Sequence, residues 1–369
     1  MPSLLGGVLA LHPTLSADDG FAGGKRLEIL PFLGRDLRLE VLYNHSRDRR
    51  FRQDLSLLTP ETLITPVERF YVRSGVADEI DYEHPWKIRV DGLVRESLDI
   101  PVEALTSIAR PMGVHLMECN GSGLGGLISA ARWTGIPARQ VLAKAKFLSQ
   151  ATHVKITGFM QWSKRNPESG ELLASWVFSF KQLDDAGAFF ATEMNGKPLT
   201  KDHGYPIRLV MPGWYGCSCI KWVNSIRLLD DSARSTVQML SYADLRKDRS
   251  ARFKLAKDLP PKNIDVQAMP VRVEKWRLRG KIVYRVVGII WGGRQTTDKL
   301  AIRFNREEEY VPVESCRQKT HQTWTLWSHT WRPARTGRYR IRLKVLDPAV
   351  PTRRLDRGYY ECRVRVKEV

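Results

Sequence analysis

Apolar and polar residues alternate with a period of two along several short stretches of the chain. Successive side chains of a β-strand point to opposite faces, so this pattern predicts strands at Trp86–Val90 and His153–Phe159. A short apolar run predicts another strand at Val114–Met117. Proline opens Pro101–Leu105 and precedes Ala138–Phe147, and both stretches are predicted to be helical. Strands and helices that mix without a regular repeat predict an α+β fold.

The last part of the chain has a different pattern, in which strand-like runs follow one another without a helical period. Turn signals separate the runs VYRVVGIIW, LAIRF, WTLWSHTW, YRIRLKV and ECRVRV. Short strands over roughly a hundred residues are typical of a β-sandwich. The polar, proline-stiffened segment Lys257–Lys262 predicts a linker before them. The sequence thus predicts an N-terminal arm at 1–66, an α+β catalytic domain at 67–262 and a β-sandwich at 263–369.

The 369-residue chain carries a formal net charge of +19, and much of the excess lies in its last part. Residues 263–369 contain 24 Lys and Arg against 11 Asp and Glu. Along Arg338–Val345 and Cys362–Lys367 every second residue is basic, which places the cations on one face of a sheet. This face is either a solvated outer surface or a docking surface for an acidic electron carrier. Because no helix-turn-helix, zinc-finger or RNP-type motif occurs, nucleic acid is not the expected partner.

The five cysteines are an odd number and include no CxxC pair, so they do not predict a disulfide framework, a zinc ribbon or a thioredoxin-like site. No apolar run approaches the roughly 20 residues that a membrane-spanning helix needs. The apolar run at 4–11 lacks a preceding Lys or Arg and supports a secretory signal poorly. These residues leave the cellular compartment open.

One cysteine lies where a predicted strand runs into a glycine-rich loop, in the segment LMECNGSGLGG around Cys119. Gly121, Gly123 and Gly126 match a dinucleotide-binding pattern, but no acidic residue follows at about 20 residues to hold a ribose. A nucleophilic cysteine needs a positioned base, and the order of cysteine and histidines resembles no protease signature. Two interpretations remain: a small buried side chain on a tight turn, or a thiolate bound to a soft metal whose other ligands come from a cofactor.

Several separated segments, in the same order, resemble the sulfite oxidase family of molybdenum enzymes. They are TPVERFYVRSG, WKIRVDGLVRESLDIPVEAL, LMECNGSG, ARWTGIPARQVL, EMNGKPLTKDHGYPIRLVMPGWYGCSCIKWVNSIRL, MPVRVEKW and GIIWGGR. The resemblance covers roughly residues 60–345. It implies a sulfite-oxidase-type molybdopterin-binding domain followed by an immunoglobulin-like dimerisation domain. It therefore also implies a homodimer whose cofactor is molybdenum–molybdopterin (Mo-MPT).

The resemblance assigns roles to individual residues. Cys119 matches the molybdenum ligand, and a thiol that binds a metal is deprotonated by it. His203, Arg208 and Lys221 match the positions that hold the anionic phosphate of the pterin. Side chains that can carry positive charge are the donors that such a phosphate requires.

Four further positions belong to the same expected site. Tyr71 and Arg73 match an early cofactor contact, and Arg73 is also the expected catalytic anion contact. Thr157 and Cys219 are weaker correspondences to the cofactor-binding set. Cys217 and Cys219 also suggest a metal pair, but the family aligns this stretch with a loop of small residues that lines the pterin.

The chain also departs from the family pattern. Thr192 stands where sulfite oxidases keep a tyrosine, and Gly121–Gly126 lacks the arginine that follows their cysteine. Ser74-Gly75 replaces an asparagine and a histidine. Each lost charge-assisted hydrogen bond costs about 1.5–3 kcal/mol, so a pocket with fewer arginines binds a dianion such as sulfite less well. Arg73 and Arg132 remain candidate anion contacts, and Arg132 is expected to have a surface or structural role.

The resemblance implies oxygen-atom transfer at a sulfur centre, with a small sulfur oxyanion or a sulfoxide as substrate. No CxxCH haem-attachment motif occurs, so the expected electron acceptor is a separate, cytochrome-like carrier protein. A sulfoxide reductase with the same cofactor and a non-catalytic binding protein with the same fold are the alternatives. Family members are often exported, which favours the periplasm by analogy alone.

Overall fold

The computed structural model describes residues 21–34, 43–45, 48–74, 80–122, 125–159, 174–243, 254–318 and 320–369. The apolar run at 4–11 and Gly123 of the glycine-rich loop lie outside the described residues. β-Strands dominate, and the α-helices of this part of the chain are few and short. None of the described helices has the length and apolar character that crossing a membrane requires.

The secondary structure elements are numbered in chain order. The strands are β1 (Lys25–Leu30), β2 (Tyr43–His45), β3 (Asp48–Phe51), β4 (Val72–Ser74), β5 (Lys87–Gly92), β6 (Leu98–Pro101), β7 (Arg110–Glu118), β8 (Ile128–Pro137), β9 (His153–Gly158), β10 (Ala174–Ser179), β11 (Phe189–Met194), β12 (Lys197–Pro198), β13 (Arg208–Val210), β14 (Val223–Leu229), β15 (Gln267–Leu278), β16 (Lys281–Trp291), β17 (Leu300–Arg303), β18 (Val311–Pro312), β19 (Thr325–Trp331), β20 (Gly337–Val345) and β21 (Cys362–Val366). The α-helices are α1 (Val102–Thr106), α2 (Ala138–Leu142), α3 (Phe180–Ala186), α4 (Val237–Tyr242) and α5 (Arg353–Asp356).

Two five-stranded sheets carry the middle of the chain. One has the order β10-β9-β14-β5-β6, and the other has the order β12-β11-β8-β7 with β13 paired to β11. A third, small sheet joins β2, β3 and β4. The strands predicted at residues 86–90, 114–117 and 153–159 are confirmed, as is the helix at 101–105. This mixture, with more sheet than helix, confirms the α+β class for this region.

The helix predicted over Ala138–Phe147 is shorter than expected, because α2 ends at Leu142. The backbone after it pairs with another part of the chain instead of continuing the helix. The Arg95 amide donates to the Lys146 carbonyl at 2.8 Å, and the Leu148 amide donates to the Leu93 carbonyl at 2.9 Å. Tertiary pairing has therefore overridden the local helical pattern.

The last part of the chain forms two four-stranded sheets, β1-β15-β16-β19 and β18-β17-β20-β21. Their inner faces share one apolar core, which includes Val273, Tyr284 and Trp331 from the first sheet and Ile341 and Val364 from the second. The arrangement is a β-sandwich, as predicted. In β20 and β21 the apolar positions are buried and the basic ones lie at least partly in solvent, which confirms the predicted alternation.

The N-terminal strand β1 pairs with β15 and so completes a sheet of the sandwich. A second, larger core runs from the middle of the chain into the sandwich and includes Trp291, Trp324 and Tyr360. Hydrogen bonds cross the same boundary, for example from Trp324 Nε1 to the Leu63 carbonyl at 2.9 Å. The sandwich is therefore packed directly against the sheets that carry the site described next. The domain boundaries at residues 66 and 262 stay predictions.

Candidate functional site

Cys119 directly follows β7, at the start of the glycine-rich loop that leads into β8. Its amide donates to the Leu127 carbonyl at 2.9 Å, and its carbonyl accepts from the Ser122 amide at 3.0 Å. The side chain is only 9% exposed. Burial raises the pKa of the Cys119 thiol, and the nearby Arg73 partly offsets this effect. At neutral pH, without a metal, the group is therefore a thiol that must lose its proton to become a ligand.

The glycines of this loop have a steric role as well as a conformational one. Gly126 adopts φ +80°, and a Cβ at this position would lie 2.8 Å from the Gln53 carbonyl oxygen. The Gln53 amide donates to the Gly126 carbonyl at 2.8 Å. A side chain there would break this close backbone contact. Because residue 126 is glycine, the loop can pack on the segment before β4.

Three chain segments bring His203, Arg208 and Lys221 together. His203 ends a 3-10 turn, Arg208 begins β13 and Lys221 lies shortly before β14. Gly204, at φ +104°, lies between them, because a Cβ there would be 3.1 Å from the side chains of both Arg208 and Lys221. The backbone at Gly204 therefore allows the two cations to approach the same space.

The Arg208 guanidinium is buried and only partly satisfied by hydrogen bonds. Its Nη1 donates to the His203 carbonyl at 3.0 Å, and its Nη2 contacts the Met117 sulfur at 3.2 Å and the Cys219 carbonyl at 3.3 Å. Its Nε has no hydrogen-bond partner within the described part of the chain. Burial lowers the pKa of Arg208. A buried cation with an unused donor is costly unless an anion joins it.

Lys221 and His203 behave differently although they lie side by side. Lys221 Nζ donates to the Asp202 carbonyl at 2.8 Å, and burial together with Arg208 holds the Lys221 pKa well below its usual value. Burial, Lys221 and Arg208 also lower the pKa of His203 to about 3. The imidazole is therefore uncharged at neutral pH, with Nδ1 2.6 Å from the Thr200 hydroxyl. His203 is a neutral hydrogen-bonding group here and not the third cation that its residue type allowed.

Tyr71 packs against the turn Gly216–Ser218. Its amide donates to the Ser129 hydroxyl at 3.1 Å, and its ring stacks on Phe70 with centroids 5.5 Å apart. A Cβ at Gly216 would lie 2.6 Å from the Tyr71 hydroxyl oxygen, so a side chain there would displace it. Burial raises the Tyr71 pKa well above its usual value, and the hydroxyl keeps its proton.

One cavity gathers seven of the eight predicted site residues, namely Tyr71, Arg73, Cys119, His203, Arg208, Cys219 and Lys221. Thr157 lies in the middle of its sheet on β9, between Ser175 and Ser225, and is not among the described residues that line the cavity. Arg132, the other candidate anion contact, is exposed on β8. The residues that do converge come from five separate chain segments, and no sequence spacing relates these segments to one another.

The lining also contains residues that the sequence analysis did not select, including Met117, Asp202, Trp222, Gln238 and Tyr242. Met117 had a usable signal, since residues two apart on a strand share a face and Cys119 follows β7. The other residues had none, because their types are common and only the tertiary fold brings them to the cavity.

The donor set fits a molybdopterin group. The cavity offers the Cys119 thiol, two cationic side chains that burial makes costly on their own, and the unused Nε of Arg208. A soft sulfur ligand suits a metal such as molybdenum, and the cations suit the phosphate of a pterin.

Comparisons with known proteins agree with this chemistry. Residues 74–237 match the model of the oxidoreductase molybdopterin binding domain. The chain is similar to sulfite oxidase of Arabidopsis thaliana, with 26% identity over 48% of the chain and 51% of that protein. It is also similar to mitochondrial sulfite oxidase of Mus musculus, with 25% identity over 92% of the chain and 64% of that protein. The chain thus spans about half to two thirds of the length of these two relatives.

The fold can be compared over almost the full length. The crystal structure of the sulfane dehydrogenase SoxCD from Paracoccus pantotrophus aligns with 98% of this chain and 89% of its own, at a TM-score of 0.63 and 19% identity. The fold similarity therefore includes the sandwich as well as the part that binds the cofactor. The predicted cofactor, Mo-MPT, and the predicted oxidoreductase class are confirmed by the family match. Residues 74–237 match a molybdopterin-binding domain of oxidoreductases, and the chain as a whole is similar to the sulfite oxidase family of molybdopterin-dependent enzymes.

Proposed function

We propose that this protein catalyses a two-electron oxidation at a sulfur centre, with sulfite or a related small sulfur oxyanion as substrate. The observation that carries the proposal is the convergence of the Cys119 thiol, Arg73, Arg208 and Lys221 on a single cavity. A thiol for the metal and cations for an anionic cofactor and an anionic substrate occur there together. When bound, Mo-MPT supplies oxygen-atom transfer coupled to two-electron redox chemistry.

Each residue has a distinct task in this proposal. Cys119 releases its proton and binds the metal as a thiolate. Arg208 and Lys221 bind the phosphate of the pterin, and the spare Nε of Arg208 gains a partner when they do. His203 stays neutral and braces the site through its contacts with Thr200 and with the Phe70 carbonyl.

Arg73 is the proposed contact for the substrate anion. It lies on β4, lines the same cavity and is partly exposed, whereas Arg208 is only 4% exposed. A dissolved anion therefore reaches Arg73 more readily than it reaches Arg208. Tyr71 and Cys219 line the cofactor space, whereas the assignment of Thr157 to the cofactor-binding set stays a prediction.

The larger organisation is part of the same proposal. The two sheets of the sandwich are proposed to be an immunoglobulin-like domain that pairs two copies of the chain. Electrons leave one at a time to a separate, cytochrome-like carrier protein. The exposed basic side chains on β20 and β21 support an acidic carrier, because opposite charge speeds association.

The proposal is tested by assaying the molybdenum-loaded protein in both directions. Oxidation of sulfite with ferricyanide as acceptor is expected for the wild type and not for Cys119→Ser. Reduction of methionine sulfoxide by reduced methyl viologen is the competing activity. If the protein reduces the sulfoxide and does not oxidise sulfite, it is a reductase and the proposed direction of the reaction is wrong. If it turns over neither compound, the proposed chemistry at a sulfur centre is contradicted.

A further inference from the structure

The residue directly before Cys119 is a carboxylate with no exposed surface. Glu118 ends β7, and its side chain is 0% exposed. Each of its oxygens accepts a hydrogen bond from the C-terminal part of the chain. Trp291 Nε1 donates to Oε2 at 2.9 Å, and the Tyr360 hydroxyl donates to Oε1 at 2.5 Å.

The residue directly after Cys119 is also held from the C-terminal part. Arg354 of α5 donates from Nη2 to the Asn120 carbonyl at 2.9 Å and to Asn120 Oδ1 at 3.0 Å. Its Nη1 lies 3.8 Å from Glu118 Oε1, so the same guanidinium contacts both neighbours of Cys119. The guanidinium also stacks over the Tyr215 ring at 4.3 Å, and Tyr215 precedes the turn Gly216–Ser218, part of which lines the cavity.

Backbone hydrogen bonds hold the loop, including the one from the Cys119 amide to the Leu127 carbonyl, but its glycines have no side chains that could fix it further. Gly121 and Gly126 follow Cys119 closely, and glycine leaves the backbone more freedom than any other residue. The direction of the Cys119 side chain therefore also depends on what fixes the side chains of residues 118 and 120. A carboxylate accepts hydrogen bonds and cannot donate them, and the rigid aromatic side chains of Trp291 and Tyr360 approach it from fixed positions.

We propose that Glu118, Trp291, Arg354 and Tyr360 form a clamp that positions the Cys119 thiol for the metal. The sandwich is then a working part of the cofactor site and not only a dimerisation unit. The clamp residues are positioning residues, since they act through Glu118 and Asn120. The inference rests on the proposed function, because it takes the Cys119 thiolate to be the ligand.

The test uses the full-length variants Trp291→Phe, Tyr360→Phe and Glu118→Gln. Each Phe variant removes one donor and keeps an aromatic ring, and the amide of Gln places a donor where one carboxylate oxygen accepted. Trp324→Phe is the matched control. Its indole is equally buried, and its Nε1 donates across the same boundary at 2.9 Å, but to the Leu63 carbonyl.

Two measurements report on the thiol. In cofactor-free protein, the rate at which iodoacetamide alkylates Cys119 is followed by peptide mass spectrometry. In loaded protein, the absorption band of the thiolate–molybdenum bond is recorded. The loss of one hydrogen bond to a buried charged group predicts alkylation that is about tenfold faster in each clamp variant. The absorption band should shift in the clamp variants, and Trp324→Phe should match the wild type in both measurements.

The outcomes separate this inference from the proposed function. If the clamp variants have the same alkylation rate and the same absorption band as the wild type, the clamp is overturned, even if the wild type is fully loaded with molybdenum. Equal changes in Trp324→Phe would also overturn it, because the effect would then be general loosening. A wild type that never binds molybdenum defeats the proposed function, whereas the alkylation rates still decide whether the clamp orders Cys119. If Glu118→Gln does not fold, the two Phe variants decide.

Discussion

Two regions of positive charge in this protein differ in burial and in role. On β20 and β21, side chains such as Arg338, Arg363 and Arg365 project from the sandwich into solvent. In the cavity, Arg208 is only 4% exposed and Lys221 is partly buried. The surface cations are hydrated and need no partner, whereas the cavity cations have given up part of their hydration.

The difference shows why a charge count is a weak guide to a binding site. The surface rows of β20 and β21 hold more cations than the cavity does, yet each of these cations is spaced along a strand and screened by water. The cavity contributes few charges, and burial lowers the pKa of both Arg208 and Lys221. A site for a bound anion is therefore marked by burial and an unused donor more than by the number of cations.

The largest expected effect comes from neutralising the buried cation. Arg208→Met should lower the retention of Mo-MPT by about 10- to 100-fold, because a charge-assisted hydrogen bond is worth about 1.5–3 kcal/mol. The measurement is molybdenum and pterin content after extensive desalting. Arg363→Met, at an exposed position, is the control and should retain the cofactor like the wild type. If Arg208→Met and Arg363→Met retain the same amount of cofactor, the buried cation does not differ from the surface cations in cofactor binding.

A pH experiment sharpens the comparison, because only a buried histidine should respond in this way. The folded protein holds the pKa of His203 at about 3, against about 6.5 in an unfolded chain. Below pH 6.5 the unfolded chain binds the proton first, so the free energy of unfolding falls as the pH falls. Between pH 7 and pH 5 the loss from His203 should be about 2 kcal/mol in cofactor-free protein.

The check on this prediction is chemical denaturation of the cofactor-free wild type and of His203→Gln at both pH values. The variant should lose about 2 kcal/mol less than the wild type over this range. Other buried histidines contribute equally to both proteins and cancel in the difference. The same pH slope in the two proteins would mean that His203 is protonated in the folded state.

The smallest effect is expected at the surface. Replacing Arg363 and Arg365 together by Gln should change the free energy of unfolding by less than about 0.5 kcal/mol and leave the molybdenum content unchanged. The double variant should slow electron transfer to an acidic cytochrome several-fold at low salt and much less at high salt. Arg139→Gln, at an exposed position of α2, is the control. An equal rate in all three proteins at low salt would argue against a docking role for this face.

Much of the fold could be predicted because its signals are local. The alternation in β20 and β21, the strand before Cys119 and the proline before α1 each depend on neighbouring residues alone. The end of α2 could not be predicted in this way, because the pairing of residues 93–95 with 146–148 decides it. Likewise, nothing near Lys25–Leu30 indicates that this strand completes a sheet with β15.

The residues of the candidate site can also be separated into those with a local sequence signal and those that only the fold reveals. Cys119 and its glycines form a local pattern, and the resemblance to a known family supplied Arg208 and Lys221. The neutral state of His203 depends on burial that no spacing reveals. Glu118 was visible beside the cysteine, but its partners Trp291 and Tyr360 are 173 and 242 residues away, and only the fold brings them to it.

The bond between Cys119 and molybdenum is the central claim, and metal content measures it most directly. Wild type, Cys119→Ser and Cys316→Ser are purified from cells supplied with molybdate, and molybdenum is quantified per chain. Cys316 is the control, since it is a cysteine of the sandwich and does not line the described cavity. Stoichiometric metal in the wild type and in Cys316→Ser, with none in Cys119→Ser, is the predicted result. Equal metal in all three proteins, or none in a folded wild type, would contradict the account.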